Sequence, residues 1–426
     1  MKNFYTTAFS RSITLTFSFL IAITLMLFTN TSARAAGFAS ESEVISTAQT
    51  PFDKKYVKID WHTSEGENVG APLAFEDYLL LPTLNKVNKL SEKDGKLVAT
   101  AELDEKVSTS ARGVIENGLL IQPTRTELHV IDVSEMNVLC SEKFGEIITD
   151  VACENGLAYF GFKDGGAFKF RCVDAVNNLE TVWEFSSEKP VTSAAKIDGK
   201  VVFGAGENLI VRAESGFIEN PVGAEISHVF AGKFAVFMCC ENGELRKLRL
   251  DDDGTAEENS LGVCELGGTL TAAVGVDNHI YVGSTEGFFV IDGLNMDVTK
   301  KYDELKNASA PILTLGSGVR AYTAAPHSDA DGSRWYLYSV LDTDETVTLS
   351  ELAKIIDFTD GKAAVSDSGR MFFRDAKGQV WAISLSKPSL ILGIIKVILA
   401  FAILIMLILI LRAWVKNRQS KRPPDF

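Results

Sequence analysis

Cys239 and Cys240 stand side by side in the segment FMCCENG, an adjacent thiol pair in a chain with six cysteines. Thiols raise redox, metal and nucleophile chemistry. Here the pair reads as the end of a strand running into an Asn-Gly turn. The cysteines show no CxxC spacing, and His62, His129, His228, His279 and His327 form no HxH or HxxxH pair, so no zinc site is expected. Cys140, Cys153 and Cys172 each follow an apolar residue at period two. Small buried hydrophobes are therefore preferred to a disulfide framework. Two acidic stretches, Asp251-Asp252-Asp253-Gly254 and Asp329-Ala330-Asp331-Gly332, have the composition of calcium loops. Neither supplies the remaining ligands or a closing Glu, so both read as turns, with Asp329 and Asp331 kept as the metal candidates. His327 beside Asp329 lacks a nucleophile. No GxSxG, Walker loop or GxGxxG stands in a supporting context, and no catalytic residue is assigned. Trp335 and Tyr336 are the only crowded aromatics that could form a ligand platform.

The elements that would position these residues repeat. Between Lys55 and Ser386 a turn of Asn, Asp or Gly leads into an alternating apolar strand, then a second loop and a second such strand. Examples are Glu154-Asn155-Gly156 before LAYFGF, Asp198-Gly199-Lys200 before VVFG, Asp277-Asn278 before HIYVGS and Ser368-Gly369 before RMFFRD. With Asp77, Asn117, Asn155, Asp198, Gly232, Asn278, Ser317 and Ser368 as markers, the spacings run from 34 to 51 residues. That is the period of a four-stranded propeller blade, and period-two alternation between Gly/Asn/Asp turns is a strand signal. The expected fold is an all-β propeller of eight blades, with seven the alternative. The last repeat runs out before a fourth strand, whereas Lys55–His62 alternates well ahead of the first marker. It is expected to supply the missing outer strand and so remove the free edges of the ring.

These repeats resemble the PQQ-like repeat propellers, the superfamily that contains the quinoprotein alcohol dehydrogenases and several non-enzymatic members. The resemblance covers about residues 55–386 and is carried best by Asn278–Asp292 and Gly369–Ser384, with Trp61 and Trp183 at the strand-end Trp position. For a quinoprotein the resemblance implies pyrroloquinoline quinone held over Ca²⁺ by carboxylates, a catalytic carboxylate, a stacking aromatic and, in the alcohol dehydrogenases, a disulfide between adjacent cysteines. Cys239 and Cys240 are the matching candidates for that cofactor site. No set of ligands can be placed with them, so no cofactor is expected and the quinone with Ca²⁺ stands as the alternative.

The two ends place the chain. Residues 1–35 read as a signal peptide, with Lys2 and Arg11 ahead of the apolar Ile13–Phe28 and Ala33-Arg34-Ala35 as the cleavage site. Residues 36–54 are a polar, loose leader. Leu390–Leu411 is long enough at about 1.5 Å per residue to cross a bilayer core of roughly 30 Å. The tail, 412–426, carries Arg412, Lys416, Arg418, Lys421 and Arg422 against Asp425, which marks the cytoplasmic side. Lys396 inside the span reads as snorkelling to the interface. With these ends set aside, the body keeps 33 Lys and Arg against 55 Asp and Glu, so the overall charge of −14 hides a body of −22. Such a surface disfavours nucleic acid, other polyanions and anionic lipid. From Ser384 to Leu390 the chain has no room for a stalk, and the body is expected within about 18 Å of the outer leaflet.

The sequence therefore predicts a single-pass protein of the cell membrane with its propeller outside and its C-terminus in the cytoplasm. It is expected to act as a non-enzymatic binding or scaffold module for other envelope or membrane proteins, or for a small ligand. A divergent quinoprotein oxidoreductase is the alternative. A sensor is least favoured, because the short tail carries no signalling domain.

Overall fold

The computed structural model describes residues 45–46, 57–63 and 70–385, apart from the internal stretches 109–110, 277–278, 309–311, 317, 330–331, 343–346, 356–357, 367 and 376–377. The expected signal peptide, the span Leu390–Leu411 and the basic tail lie outside these residues. Among the described residues no helix is long and apolar enough to cross a membrane.

The described strands fall into eight sheets, all antiparallel but for one short edge pair, following one another in chain order. The sheets span residues 73–102, 114–143, 146–187, 195–221, 226–265, 270–302, 312–355 and 358–385. Every marker picked from the sequence falls between the first and second strand of one sheet. The reason is visible in the backbone. Asn117-Gly118, Asn155-Gly156 and Asp198-Gly199 all have positive φ at both residues, the two-residue hairpin geometry that Asn-Gly and Asp-Gly adopt at least cost. The first strands of most neighbouring sheets touch one another, so they converge on the axis of an all-β propeller. The seventh sheet departs from the others through its long hairpin, Gly318–Asp329 with Gly332–Asp342.

Packing between sheets is apolar. Phe170 and Phe203 stack at 4.0 Å between the third and fourth sheets. Val274, Tyr281 and Phe288 of the sixth join Ala321 and Val340 of the seventh in one cluster. Polar links run through the same joints: Tyr281 donates from its hydroxyl to Asp342 Oδ2 at 3.0 Å, and Lys89 donates from Nζ to the Val133 carbonyl at 2.8 Å.

The closing strand lies as expected. Val57–His62 pairs antiparallel with Val380–Leu385, with Val57 opposite Leu385 and Trp61 opposite Ala382. Trp61 and Trp183 both sit in the outermost strand of their sheets. The leader differs from expectation at one point, where Ile45 and Ser46 pair in parallel with Leu313 and Thr314. The edge of the Ile312–Gly316 strand not paired with Gly318–Asp329 offers backbone groups that an extended segment can satisfy.

Candidate functional site

The residues singled out for chemistry are not brought together. Cys239 and Cys240 are consecutive on the strand Val236–Cys240 and therefore point to opposite faces. Cys239 packs with Phe237, Leu245 and Cys264, whereas Cys240 packs with Ile226, Val236 and Met238. Burial pushes both thiols up, Cys240 to about 11, which removes thiolate chemistry at neutral pH. All six cysteines are free thiols, five of them buried.

Asp329 pairs with Gly332 at the tip of the long seventh-sheet hairpin, while Asp331 lies outside the described residues. Among the described residues no three potential ligands gather as a metal site would require. The other acidic stretch is a turn: Asp253 Oδ1 accepts from the backbone and hydroxyl of Thr255 at 2.9 and 2.7 Å. Trp335 and Tyr336 belong to a strand, opposite Pro326 and Ala325, and so do not form a loop platform.

A different group of residues meets where the first strands begin. Thr149 accepts on Oγ1 from the Gly161 amide at 2.6 Å, and Thr192 accepts from the Gly204 amide at 2.8 Å. Thr271 lies equally close to Gly283, a Cβ on that glycine falling 2.7 Å from its Oγ1, but its hydroxyl donates to the Ala308 carbonyl at 2.8 Å. In the fifth sheet Ser227 donates from Oγ to the Cys239 carbonyl at 3.0 Å. Each hydroxyl residue is 12 positions before its partner on the second strand. The glycines are required because this hydroxyl side chain and an apolar neighbour occupy the Cβ site: Thr149 Cγ2 at 2.7 Å and Val191 Cγ2 at 2.6 Å for Gly161. Cys239 thus occupies a glycine position of the repeat.

The residue after each hydroxyl is Asp150, Ser193 and His228 in the third, fourth and fifth sheets. Asp150 is buried and accepts on Oδ1 from the Arg112 amide, and its own amide donates to Ser193 Oγ at 3.2 Å. The Arg112 guanidinium donates to the Pro72 carbonyl at 3.3 Å. Residues entering four successive sheets therefore form a hydrogen-bonded polar arc at the axial mouth, and the Asp150 charge at its centre acts on His228 of the fifth. His228 ends this arc half-buried, with Nε2 shielded from solvent and without a hydrogen-bond partner. Burial pushes its pKa down to about 4, against the opposing pull of the Asp150 charge, so the imidazole is neutral near pH 7. A neutral ring nitrogen, a hydroxyl and a carboxylate can between them donate and accept hydrogen bonds. The sequence reading missed this arc. The signal that could have found it was the 12-residue Thr-to-Gly interval, which only alignment of the repeats on their glycines reveals.

A second feature lies at the other end of the same strands. The cleft between the fifth and sixth sheets, about 480 Å³, is lined by Lys233, Phe234, Lys247, Arg249, Leu261 and Leu294 among others. Lys247 donates from Nζ to the Gly293 carbonyl at 3.2 Å and to that of Leu294. Its pKa is pushed down by burial and then by Arg249.

No family profile matches the chain and no curated protein is similar to it in sequence. Solved structures are similar in fold. The computationally designed protein Ika8 superposes with a TM-score of 0.57 at 13% identity, over 76% of this chain and 99% of its own. Saccharomyces cerevisiae Sqt1 gives 0.56 at 11% identity, over 78% and 98%. BamB from Moraxella catarrhalis gives 0.41 at 13% identity, over 84% and 98%. At such identities the likeness to Ika8 and Sqt1 concerns the fold alone.

Proposed function

We propose that the chain is a membrane-anchored, extracytoplasmic binding and scaffold propeller whose eight sheets act as eight blades and whose axial mouth receives an envelope protein. The observation that carries this reading is the polar arc Arg112, Asp150, Ser193 and His228, contributed by successive sheets and ending in a shielded nitrogen without a partner. Buried polar atoms are nearly always satisfied, so an unpaired one at a ring opening suits an incoming ligand group. Strand direction supports the same reading. First strands begin at the mouth, so third strands end at the opposite face, and Val380–Leu385 is a third strand. A span starting at Leu390 would then hold the mouth away from the bilayer.

The test is photo-crosslinking in native membranes from exposed Ser227, beside the mouth, followed by mass spectrometry. A discrete adduct that disappears in an Asp150→Ala, His228→Ala double variant supports the proposal. The absence of any adduct would refute it.

A further inference from the structure

The face opposite the mouth has a chemical character of its own. Twelve large apolar side chains are exposed among the described residues. Every one lies in a turn on this face or within the first three residues of an outermost strand, which starts there. Phe234 is 62% exposed, Leu294 56% and Val176 67%, and each sits in such a turn. Scattered exposed apolar residues are ordinary; confinement to one end of the strands is not. Leu385, the last described residue before the apolar segment 390–411, ends on the same face.

The cleft between the fifth and sixth sheets opens here. Lys233, Lys247 and Arg249 line it together with Phe234, Leu261 and Leu294, and no acidic side chain does. In a body of net charge −22, and on a face whose turns also carry Asp94, Asp132, Asp174, Asp253 and Asp292, the cleft lining is a local reversal of sign. Arg249 is paired through Nε with Glu257 at 2.9 Å, while Lys233 lies over the Phe234 ring at 5.0 Å. Cations beside exposed apolar side chains fit an interface where phosphate gives way to acyl chain.

We infer that this face docks on the bilayer in which the chain's own segment 390–411 is anchored, with the cleft taking the phosphate of an anionic phospholipid. Lys233 faces the headgroup, with Arg249 beside it held by Glu257, and Phe234, Leu261 and Leu294 enter the acyl boundary. The tether at Leu385 and the cleft, separated by the sixth and seventh sheets, are two separate points of attachment that fix the disc flat. This inference rests on the membrane anchoring proposed above.

The test is hydrogen–deuterium exchange on the full-length chain in nanodiscs of phosphatidylglycerol mixed with phosphatidylcholine, in nanodiscs of phosphatidylcholine alone, and in detergent. Amides of 232–236, 259–262 and 293–296 are expected to exchange about tenfold more slowly in the anionic discs than in detergent. Protection is expected to weaken in phosphatidylcholine alone and in high salt. The surface variant K233E/F234S/L294S should lose the protection while melting normally. Carbonate extraction separates the two readings: a chain released by carbonate refutes the anchoring and this inference with it. A chain that stays inserted with unchanged exchange refutes the docking alone. Equal protection from inorganic phosphate in detergent, or from an added acidic peptide, would also overturn it.

Discussion

Arg370 donates from Nε to Asp60 Oδ2 at 2.9 Å across 310 residues of sequence. Its Nη1 reaches the Glu92 carbonyl at 2.7 Å and Glu92 Oε1 at 3.2 Å, so one guanidinium ties the N-terminal strand, the last sheet and the first sheet together. Trp61 adds a hydrogen bond from Nε1 to the same Glu92 carbonyl at 2.8 Å and packs on Phe372. Side-chain exposures of 10% for Asp60, 19% for Arg370 and 7% for Glu92 place this clasp largely out of water.

Replacing Arg370 takes the shared guanidinium from the shielded carboxylates of Asp60, which keeps Lys58 at 2.8 Å, and Glu92. Arg370→Ala is expected to cost about 3–5 kcal/mol, read as a lower chemical-denaturation midpoint. Removing residues 36–66 takes away the outer strand and should abolish cooperative folding. A truncated protein that melts cooperatively would refute the clasp.

The clasp also sets an acid limit. Burial raises the Asp60 pKa, but hydrogen bonds from Lys58, Ser384 and Arg370 more than offset it and leave the carboxyl below its ordinary range. A depressed carboxylate contributes stability above its unfolded pKa of about 3.9 and loses it as pH falls further. Below about pH 4 the wild type should therefore lose stability more steeply than Asp60→Asn, measured as the pH dependence of the melting temperature.

His228 acts in a different window. Its folded pKa of about 4 lies below the unfolded value near 6.5, so the unfolded chain binds the extra proton first. Stability should decline as pH drops from about 6.5 towards 4 and level off below. His228→Gln should flatten that limb, and an unchanged profile would count against a shielded neutral imidazole.

Gly161→Ala and Gly204→Ala probe the Thr-to-Gly contacts. The new methyl would meet Thr149 and Val191 in the first case, and Thr192 and Ile226 in the second, all within 2.9 Å. Overpacking of this kind costs about 1–3 kcal/mol. Pairing Gly204→Ala with Thr192→Ser removes one of the clashing methyls and should recover part of the loss in a denaturation midpoint.

Thiol reactivity offers a further check. Cys140 is half-buried and the other five cysteines are buried, with every thiol pushed up by burial. A maleimide reagent should label Cys140 slowly and the rest only after unfolding, when all six react. Fewer than six thiols in unreduced, unfolded protein would mean a disulfide.

The sheets were legible because their turns are written in residues that tolerate positive φ, as at Asn117-Gly118 and Asn155-Gly156, and because their strands alternate. The closing strand was legible because Lys55–His62 alternates where no repeat claims it. The mouth was not. Asp150, Ser193 and His228 lie far apart in sequence, carry three different chemistries and meet only because three sheets begin at one axis. Cys239 and Cys240 drew attention by adjacency, yet adjacency within a strand separates side chains to opposite faces. The turn chemistry of Asp253 mimics a calcium loop for a plain reason: carboxylates that cap backbone amides are the same groups that bind cations.

The strand Val57–His62 emerges early from the ribosome and finds its partner, Val380–Leu385, only after nearly the whole body has been made. The pairing that closes the ring therefore has to wait for that strand, and pairing over such a separation is slow. Until residues 380–385 have been made, the first and last sheets are left with an open seam between them, and the body stays an unclosed ring.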